Sequence, residues 1–228
     1  MRIPLTKYGW PQVVVYPLIV VIGMLVVALL GSARMPAWAF AALEGVLAAV
    51  LVWALMFFRD PHREIPPDDA VLVAPADGKV TDIETLDKSE SGAGPTLRIG
   101  IFLSIFNVHI NRAPCNVRIE KINYREGKYL NALNPLSSQV NESNTLVMVR
   151  ASEPRDRLVV KQISGAIARR IVCAAQPGQT LARGEAFGMI KFGSRTELYV
   201  PANQYMQCMV GLGDRVKAGT TPLVRYGQ

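Results

Sequence analysis

The sequence is poor in the residue types that build metal and redox sites. It contains two histidines and three cysteines, and no cysteine pair has the C-x-x-C spacing typical of zinc or dithiol sites. The carboxylates show no metal-ligand spacing, so we expect no bound metal. Cys115, Cys173 and Cys208 are therefore expected to be small buried hydrophobic residues.

A basic run interleaved with aromatic residues, which is typical of nucleic-acid-binding proteins, is also missing. The formal net charge is +7, but the lysines and arginines are scattered along the chain, so no nucleic-acid partner is expected. Lys and Arg near acidic lipid headgroups each gain roughly 1 kcal/mol. An anionic membrane lipid is the partner that this charge favours.

Charged residues are nearly absent from two long N-terminal stretches. None occurs from 13 to 30, and Glu44 is the only one from 36 to 58. Each stretch is near the ~20 residues that cross a bilayer core, which predicts a membrane hairpin within residues 1–64 with these two spans. A cleaved signal peptide and a helical hairpin buried in a soluble core are the alternatives, and the role of Glu44 stays open.

Basic residues flank the two spans unequally. Arg2 and Lys7 precede the first span and Arg59 and Arg63 follow the second, whereas the link between the spans carries Arg34. The positive-inside rule then places the large C-terminal domain on the cytoplasmic face of the cell membrane.

Residues 65–228 are predicted to form a mainly β soluble domain. Prolines interrupt the chain after the second span, and short β-type runs separated by Gly, Pro and Asn follow. The polar stretch from Gly127 to Asn144 is expected to be a loop or a short helix over the sheet. The predicted strands cover residues 71–73, 97–105, 117–124, 145–149, 158–163, 170–174, 186–192 and 197–200.

A weak internal repeat indicates how the sheet closes. A Gly, an apolar residue and a second Gly recur at the same spacing, and each set precedes a β run. Such turns are typical of barrel-sandwich folds, including lipoyl and biotinyl carrier modules, because glycine tolerates positive φ. A membrane-anchored carrier or adaptor modified at Lys191 is therefore one candidate function. The repeated residues are Gly178, Leu181 and Gly184, then Gly213, Val216 and Gly219.

Three polar residues of the predicted domain could carry chemistry. Asp77 lies in a turn, His109 is the single histidine of residues 65–228, and Ser194 follows Gly193 between two β runs. Taken singly, each also fits an ordinary turn or structural residue. Together they are the types needed for an oriented base acting on a hydroxyl, so a membrane-bound serine hydrolase with an intact triad is a second candidate.

Four short segments, in this order behind a hairpin, resemble the short form of the phosphatidylserine decarboxylase proenzyme family. The resemblance covers nearly the whole chain, and the order and spacing of the segments carry it. The segments are F-R-D-P-x-R at 58–63, A-D-G at 76–78, F-N-V-H at 106–109 and F-G-S-R at 192–195.

The resemblance implies a self-cleaving enzyme. Ser194 would attack the carbonyl of Gly193, and the chain would be cut between these residues into a large and a small chain that stay together as a heterodimer. Ser194 would become a covalent pyruvoyl group, which forms a Schiff base with the amine of phosphatidylserine and allows decarboxylation to phosphatidylethanolamine without a metal.

The resemblance also implies roles for other side chains. His109 would be the base, with Asp77 holding its tautomer and orientation. Asn141 and Glu142 would line the headgroup site. The sequence leaves a homo-oligomer, the acyl-chain preference and the stereochemical type of the lipid open.

Overall fold

The computed structural model of the protein describes residues 4–31, 33–87, 94–166, 170–191 and 193–227. The chain divides into two compact units, Met1–Pro61 and His62–Gln228. Arg2 and Phe192, which entered the sequence predictions, lie outside the described residues. Each unit is described by itself.

The N-terminal unit is a pair of long apolar helices, α1 (Gln12–Gly31) and α2 (Ala37–Phe57), which contact each other. The first residues of the unit pair with its last ones: Thr6 N donates to Phe58 O at 2.9 Å and Asp60 N donates to Pro4 O at 2.6 Å. The two helices are thus the arms of a hairpin whose ends meet, as predicted.

Both helices are long and apolar enough to cross a membrane. Their most apolar windows have mean hydropathies of 3.0 and 2.2, and 6% and 11% of those windows are buried within the protein. A core helix of a soluble protein would be mostly buried, so this low burial disfavours the alternative of a helical hairpin in a soluble core. Uncovered apolar helices of this length indicate membrane association.

The C-terminal unit is built from short antiparallel strands. Polar turns separate these strands, and a short helix, α3 (Ser137–Val140), lies in the polar stretch between two of them. The strands are β1 (Val71–Val73), β2 (Gly78–Leu86), β3 (Thr96–Leu103), β4 (Ile110–Arg112), β5 (Val117–Arg125), β6 (Ser143–Arg150), β7 (Arg157–Ile163), β8 (Ile171–Cys173), β9 (Thr180–Leu181), β10 (Ala186–Ile190), β11 (Ser194–Pro201), β12 (Met206–Cys208), β13 (Arg215–Val216) and β14 (Pro222–Tyr226).

One large and two small sheets enclose the core. The eight-stranded sheet has the order β13-β2-β3-β11-β7-β6-β5-β9, and the three-stranded sheets have the orders β1-β14-β12 and β4-β10-β8. Alternate side chains of the large sheet, such as Ile101, Leu158 and Leu198, form one cluster with Leu72 and Phe187 of the small sheets. The small sheets therefore pack on one face of the large sheet, which confirms the barrel-sandwich prediction.

Each copy of the internal repeat contains one of the two edge strands of the large sheet. Strand β9 pairs with β5 at one edge and β13 pairs with β2 at the other. Leu181 and Val216 occupy equivalent positions in these edge strands, and both are 3% exposed. The four flanking glycines have φ between +74° and +94°, a conformation that side chains with a Cβ rarely adopt.

Several strands have no counterpart among the predicted ones, namely β4, β9, β12, β13, β14 and the longest of them, β2 (Gly78–Leu86). The polar residues Lys79, Asp82 and Glu84 of β2 weakened the β signal, yet this strand pairs with β3 over its whole length. Strand β11 also begins earlier than predicted, at Ser194 rather than Glu197. The serine therefore belongs to the sheet and not to the turn that precedes it.

Candidate functional site

Ser194 is the first residue of a central strand. It pairs with Leu103 of β3, and β7 flanks β11 on the other side. The Ser194 side chain is fully buried, and its Oγ has no hydrogen-bond partner among the described residues. Because buried hydroxyls in folded proteins are nearly always hydrogen-bonded, an unpaired one requires a specific explanation.

Gly193, whose carbonyl precedes Ser194, has a left-handed backbone conformation. Its φ of +63° lies in the left-handed region, which is costly for residues other than glycine. A Cβ built on Gly165 would overlap with Gly193 O and lie 3.0 Å from the Gly193 carbonyl carbon and 3.4 Å from Ala132 Cβ. The carbonyl thus rests against a backbone position that has room only for glycine.

His109 lies directly before β4 and is fully buried. Its Nδ1 is 2.9 Å from Asn107 O. A carbonyl oxygen can only accept, so in a neutral ring the hydrogen is assigned to Nδ1 and the lone pair to Nε2. His109 Nε2 is therefore arranged to act as a base.

Asn111 connects β4 to β11. Its Nδ2 donates to Thr196 Oγ1 at 2.9 Å. Ile190 N, upstream of Ser194, donates to His109 O at 3.2 Å. These two contacts hold β4 and the residue before it close to the chain segment that contains Ser194.

Asp77 makes different contacts from those expected. Both of its oxygens accept from Arg63 Nη2, at 2.9 and 2.8 Å, and Oδ1 also accepts from Ala218 N at 2.8 Å. The Nδ1 contact expected of Asp77 is made by Asn107 O, because the guanidinium and the Ala218 amide already occupy the carboxylate. A catalytic role for Asp77 stays a prediction.

Asn141 braces a loop instead of presenting its amide at a surface. Its Oδ1 accepts from Leu130 N at 2.9 Å, and its Nδ2 donates to Leu130 O and to Ser164 O, both at 2.8 Å. Both amide hydrogens are thus committed within the protein. Glu142 is 4% exposed, and its Oε1 accepts from Tyr124 OH at 2.9 Å. Headgroup contacts of Asn141 and Glu142 stay predictions.

A buried ionic network on the opposite face of β11 was missed by sequence reasoning. Arg195 Nε donates to Glu197 Oε1 at 2.7 Å, and its Nη2 pairs with Asp82. Tyr199 OH and Ser138 Oγ donate to Glu197 Oε2 at 2.7 and 2.8 Å. Burial lowers the pKa of Arg195, but the two carboxylates outweigh that effect and raise it. Arg195, Glu197 and Tyr199 occupy every second position of β11, and this alternation is the feature of the sequence that could have revealed the network.

Lys191 does not have the environment of a carrier lysine. It is 4% exposed, and burial, followed by the charge of Arg170, lowers its pKa. A lysine that a modifying enzyme must reach belongs at an exposed hairpin tip. The structure therefore disfavours the carrier alternative.

Within the described ranges, no three His, Cys, Asp or Glu side chains are grouped to hold a metal ion.

The segment after Gly193 is interleaved with the rest of the unit. It contains β11, which lies between β3 and β7, and β14, which lies between β1 and β12. If the chain is cut before Ser194, we expect the 35 residues from Ser194 to Gln228 to stay bound through these backbone pairings. The two chains should co-elute in detergent on size exclusion and separate only in denaturant. Release of the small chain without denaturant would contradict this.

Comparison with known proteins places the chain in the class of decarboxylases. Residues 50–224 match the family model described as phosphatidylserine decarboxylase. The chain belongs to the phosphatidylserine decarboxylase family.

Relatives named phosphatidylserine decarboxylase proenzyme cover most of the chain. A protein of Rhodopirellula baltica is 44% identical over 192 residues, which are 84% of this chain and 78% of the relative. A protein of Chlorobium chlorochromatii is 40% identical over 222 residues, 97% of this chain and 100% of the relative. A protein of Carboxydothermus hydrogenoformans is 43% identical over 182 residues, 79% of this chain and 84% of the relative.

Proposed function

We propose that this protein decarboxylates phosphatidylserine to phosphatidylethanolamine with a pyruvoyl group that it makes from Ser194 by cutting its own chain after Gly193. The carrying observation is the buried, unpaired Ser194 Oγ beside a carbonyl held at a positive-φ glycine. Family membership supports the reaction, and the proenzyme names of the relatives support a cleaved chain pair.

Self-cleavage begins with a proton transfer inside the unit. His109 Nε2 accepts the proton of Ser194 Oγ, and the oxygen attacks the carbonyl carbon of Gly193. The C–N bond between residues 193 and 194 breaks and the nitrogen takes up the proton, which leaves the two residues joined by an ester. A positioned base of this kind supplies roughly 10²- to 10⁴-fold in rate.

The ester then breaks by elimination. The Ser194 α-proton is lost and the Gly193 carboxylate departs, which leaves an enamine at residue 194. Water adds and ammonia leaves, so that a ketone replaces the former α-amine. The products are a chain that ends at Gly193 and a 35-residue chain with a blocked first residue.

The residues present fit such a group. The pyruvoyl ketone supplies an electron sink for the pair of electrons released when carbon dioxide leaves. The position of Ser194 on β11, between β3 and β7, fixes that carbon on a rigid part of the fold. In this proposal His109 holds the proton that the substrate carbon takes up.

The serine hydrolase alternative has less support. A hydrolase keeps its serine as a hydroxyl in an unbroken chain and must admit a substrate carbonyl to it. The family model that matches residues 50–224 is that of a decarboxylase and not of a hydrolase, and the carbonyl next to Ser194 is that of its own chain.

We further propose that the hairpin is embedded in the cell membrane with the catalytic unit on the cytoplasmic face. Arg2, Lys7, Arg59 and Arg63 flank the ends of the hairpin that meet, and Arg34 lies at the other end. The positive-inside rule favours this orientation, and the net charge of +7 favours anionic lipid as the neighbouring surface.

Intact mass spectrometry of the purified wild-type chain tests the proposed cleavage. We expect two polypeptides, residues 1–193 and residues 194–228, with the small one resistant to amino-terminal sequencing and reactive toward carbonyl reagents. Vesicles containing phosphatidylserine should gain phosphatidylethanolamine. A single continuous chain in active material would overturn the proposal.

A further inference from the structure

The loop at residues 126–136, here the site loop, connects β5 to α3 and lies next to Gly165. Ala132 is 1% exposed, and its Cβ would be 3.4 Å from a Cβ built on Gly165, the position against which the Gly193 carbonyl rests. The next residue, Leu133, and then Leu136 are each 54% exposed. The loop thus packs one small side chain near Gly165 and exposes two large apolar ones.

Hydrogen bonds hold the site loop in this conformation. At its base, Lys128 N donates to Val140 O at 2.7 Å and Glu142 N donates to Lys128 O at 3.0 Å. At its tip, two asparagine side chains cap turns: Leu133 N donates to Asn131 Oδ1 at 3.0 Å and Leu136 N donates to Asn134 Oδ1 at 2.9 Å. A braced loop cannot fold its leucines back into the core.

A second segment beside the site has the same character. Strand β3 ends at Leu103, opposite Ser194, and Phe106 in the segment that follows is 69% exposed. Large apolar side chains with this exposure, gathered near a functional site, are typical of surfaces that meet a partner or a membrane.

The substrate chemistry selects a membrane as the occupant. The acyl chains of a phospholipid stay in the bilayer while its headgroup reacts, so the protein surface over Ser194 must lie at the level of the headgroups. The site loop belongs to that surface. Basic side chains at its foot suit an anionic headgroup layer: Lys128 is exposed, and Arg125 donates to Ser138 O and Asn141 O at 3.3 and 3.2 Å.

We infer that Leu133 and Leu136 insert into the anionic lipid surface and hold the site loop at the bilayer while a headgroup enters the site. This inference rests on the proposed function and concerns a contact that the two apolar helices do not supply. A half-exposed leucine that enters lipid strengthens the contact by about fivefold to tenfold.

The test compares two forms of substrate on the cleaved full-length enzyme. In the double variant Leu133→Ser with Leu136→Ser, we expect the mole fraction of phosphatidylserine in phosphatidylcholine vesicles that gives half-maximal rate to rise about tenfold or more. Turnover of monomeric dihexanoyl-phosphatidylserine and self-cleavage should be unchanged. Leu212→Ser is the matched control, since Leu212 is 69% exposed on another loop.

Two outcomes overturn the inference. Equal losses on vesicles and on the short-chain lipid would assign the leucines to the substrate site or to folding. Unchanged vesicle kinetics, with a change of oligomeric state by analytical ultracentrifugation in detergent, would assign them to a contact with a second copy of the chain.

A spectroscopic measurement separates this inference from the proposed function. Leu133→Trp and Leu212→Trp are each made in uncleaved Ser194→Ala chains and reconstituted in vesicles with brominated acyl chains. The three native tryptophans give the same background of fluorescence quenching in both variants. We expect quenching above this background for Leu133→Trp and none above it for Leu212→Trp. Equal quenching of both variants contradicts insertion of the loop, whereas a wild-type chain that never cleaves contradicts the proposed function.

Discussion

Replacing Ser194 by alanine is expected to leave the chain in one piece and to abolish decarboxylation. The variant lacks the oxygen that attacks Gly193, and no other described hydroxyl occupies that position at the start of β11. Denaturing electrophoresis and intact mass should show one polypeptide, where the wild type shows two. Assays with vesicles should detect no phosphatidylethanolamine.

The same variant should fold at least as well as the wild-type chain. Its hydroxyl is buried without a partner among the described residues, and removing an unsatisfied buried polar group relieves a desolvation penalty. Thermal unfolding should therefore show no loss of stability, which excludes misfolding as the cause of inactivity.

Thr196→Ala is the matched control for Ser194→Ala. Thr196 is a buried hydroxyl residue of the same strand and face, but its Oγ1 accepts a hydrogen bond from Asn111. Loss of this hydrogen bond should lower the free energy of unfolding by about 1 to 3 kcal/mol. The variant should still cleave itself between residues 193 and 194. A 35-residue fragment released from Ser194→Ala would show that another group cuts the chain.

Replacing Gly165 by alanine is expected to slow self-cleavage by about a hundredfold or more. An added Cβ would overlap with Gly193 O, so the carbonyl must move away from its position beside Ser194. A displacement on the order of 1 Å between reacting groups costs about 10²-fold in rate. The uncut fraction on denaturing gels over time measures the effect.

Hydroxylamine distinguishes which step Gly165→Ala impairs, because it cleaves esters and leaves amides intact. If the carbonyl is misplaced before the attack, no ester forms and hydroxylamine should release no fragment. Release of residues 1–193 by hydroxylamine would instead place the defect in the elimination step and contradict the positional argument.

Gly211→Ala serves as the control for the backbone change. A Cβ at residue 211 would meet Asp214 Oδ2 at an ordinary 3.8 Å, so this variant should cleave at the wild-type rate. Circular dichroism of both glycine variants checks folding. A folded Gly165→Ala chain that cleaves normally would show that the Gly193 carbonyl tolerates the added side chain.

Local patterns in the chain predicted much of the architecture. The apolar runs gave the hairpin within about a residue at each end, with helices at Gln12–Gly31 and Ala37–Phe57. The repeated glycine turns indicated the barrel-sandwich fold because positive φ and apolar spacing are properties of adjacent residues. Strand β2 escaped detection because cross-strand pairing, and not its own polar composition, stabilises it.

The candidate site was predicted less completely. Ser194, Gly193 and His109 were singled out by residue type and by their neighbours in the sequence. The expected contact between Asp77 and His109 was replaced by a contact with Arg63, since a carboxylate accepts from the donors that packing brings to it. Asn107 O, which sets the tautomer of His109, carries no signal in the sequence because every residue has a carbonyl.

The amino-acid sequence alone determined the apolar hairpin, the strand-and-turn pattern and the residue types at the proposed cleavage site, because hydropathy, glycine and side-chain chemistry are read locally. The tertiary structure alone decided that Gly165 lies against the carbonyl of Gly193, with Ala132 next to Gly165, and that leucines of the site loop are exposed. Such close contacts depend on how distant segments of the chain pack, and packing follows from shape complementarity that no local sequence pattern records.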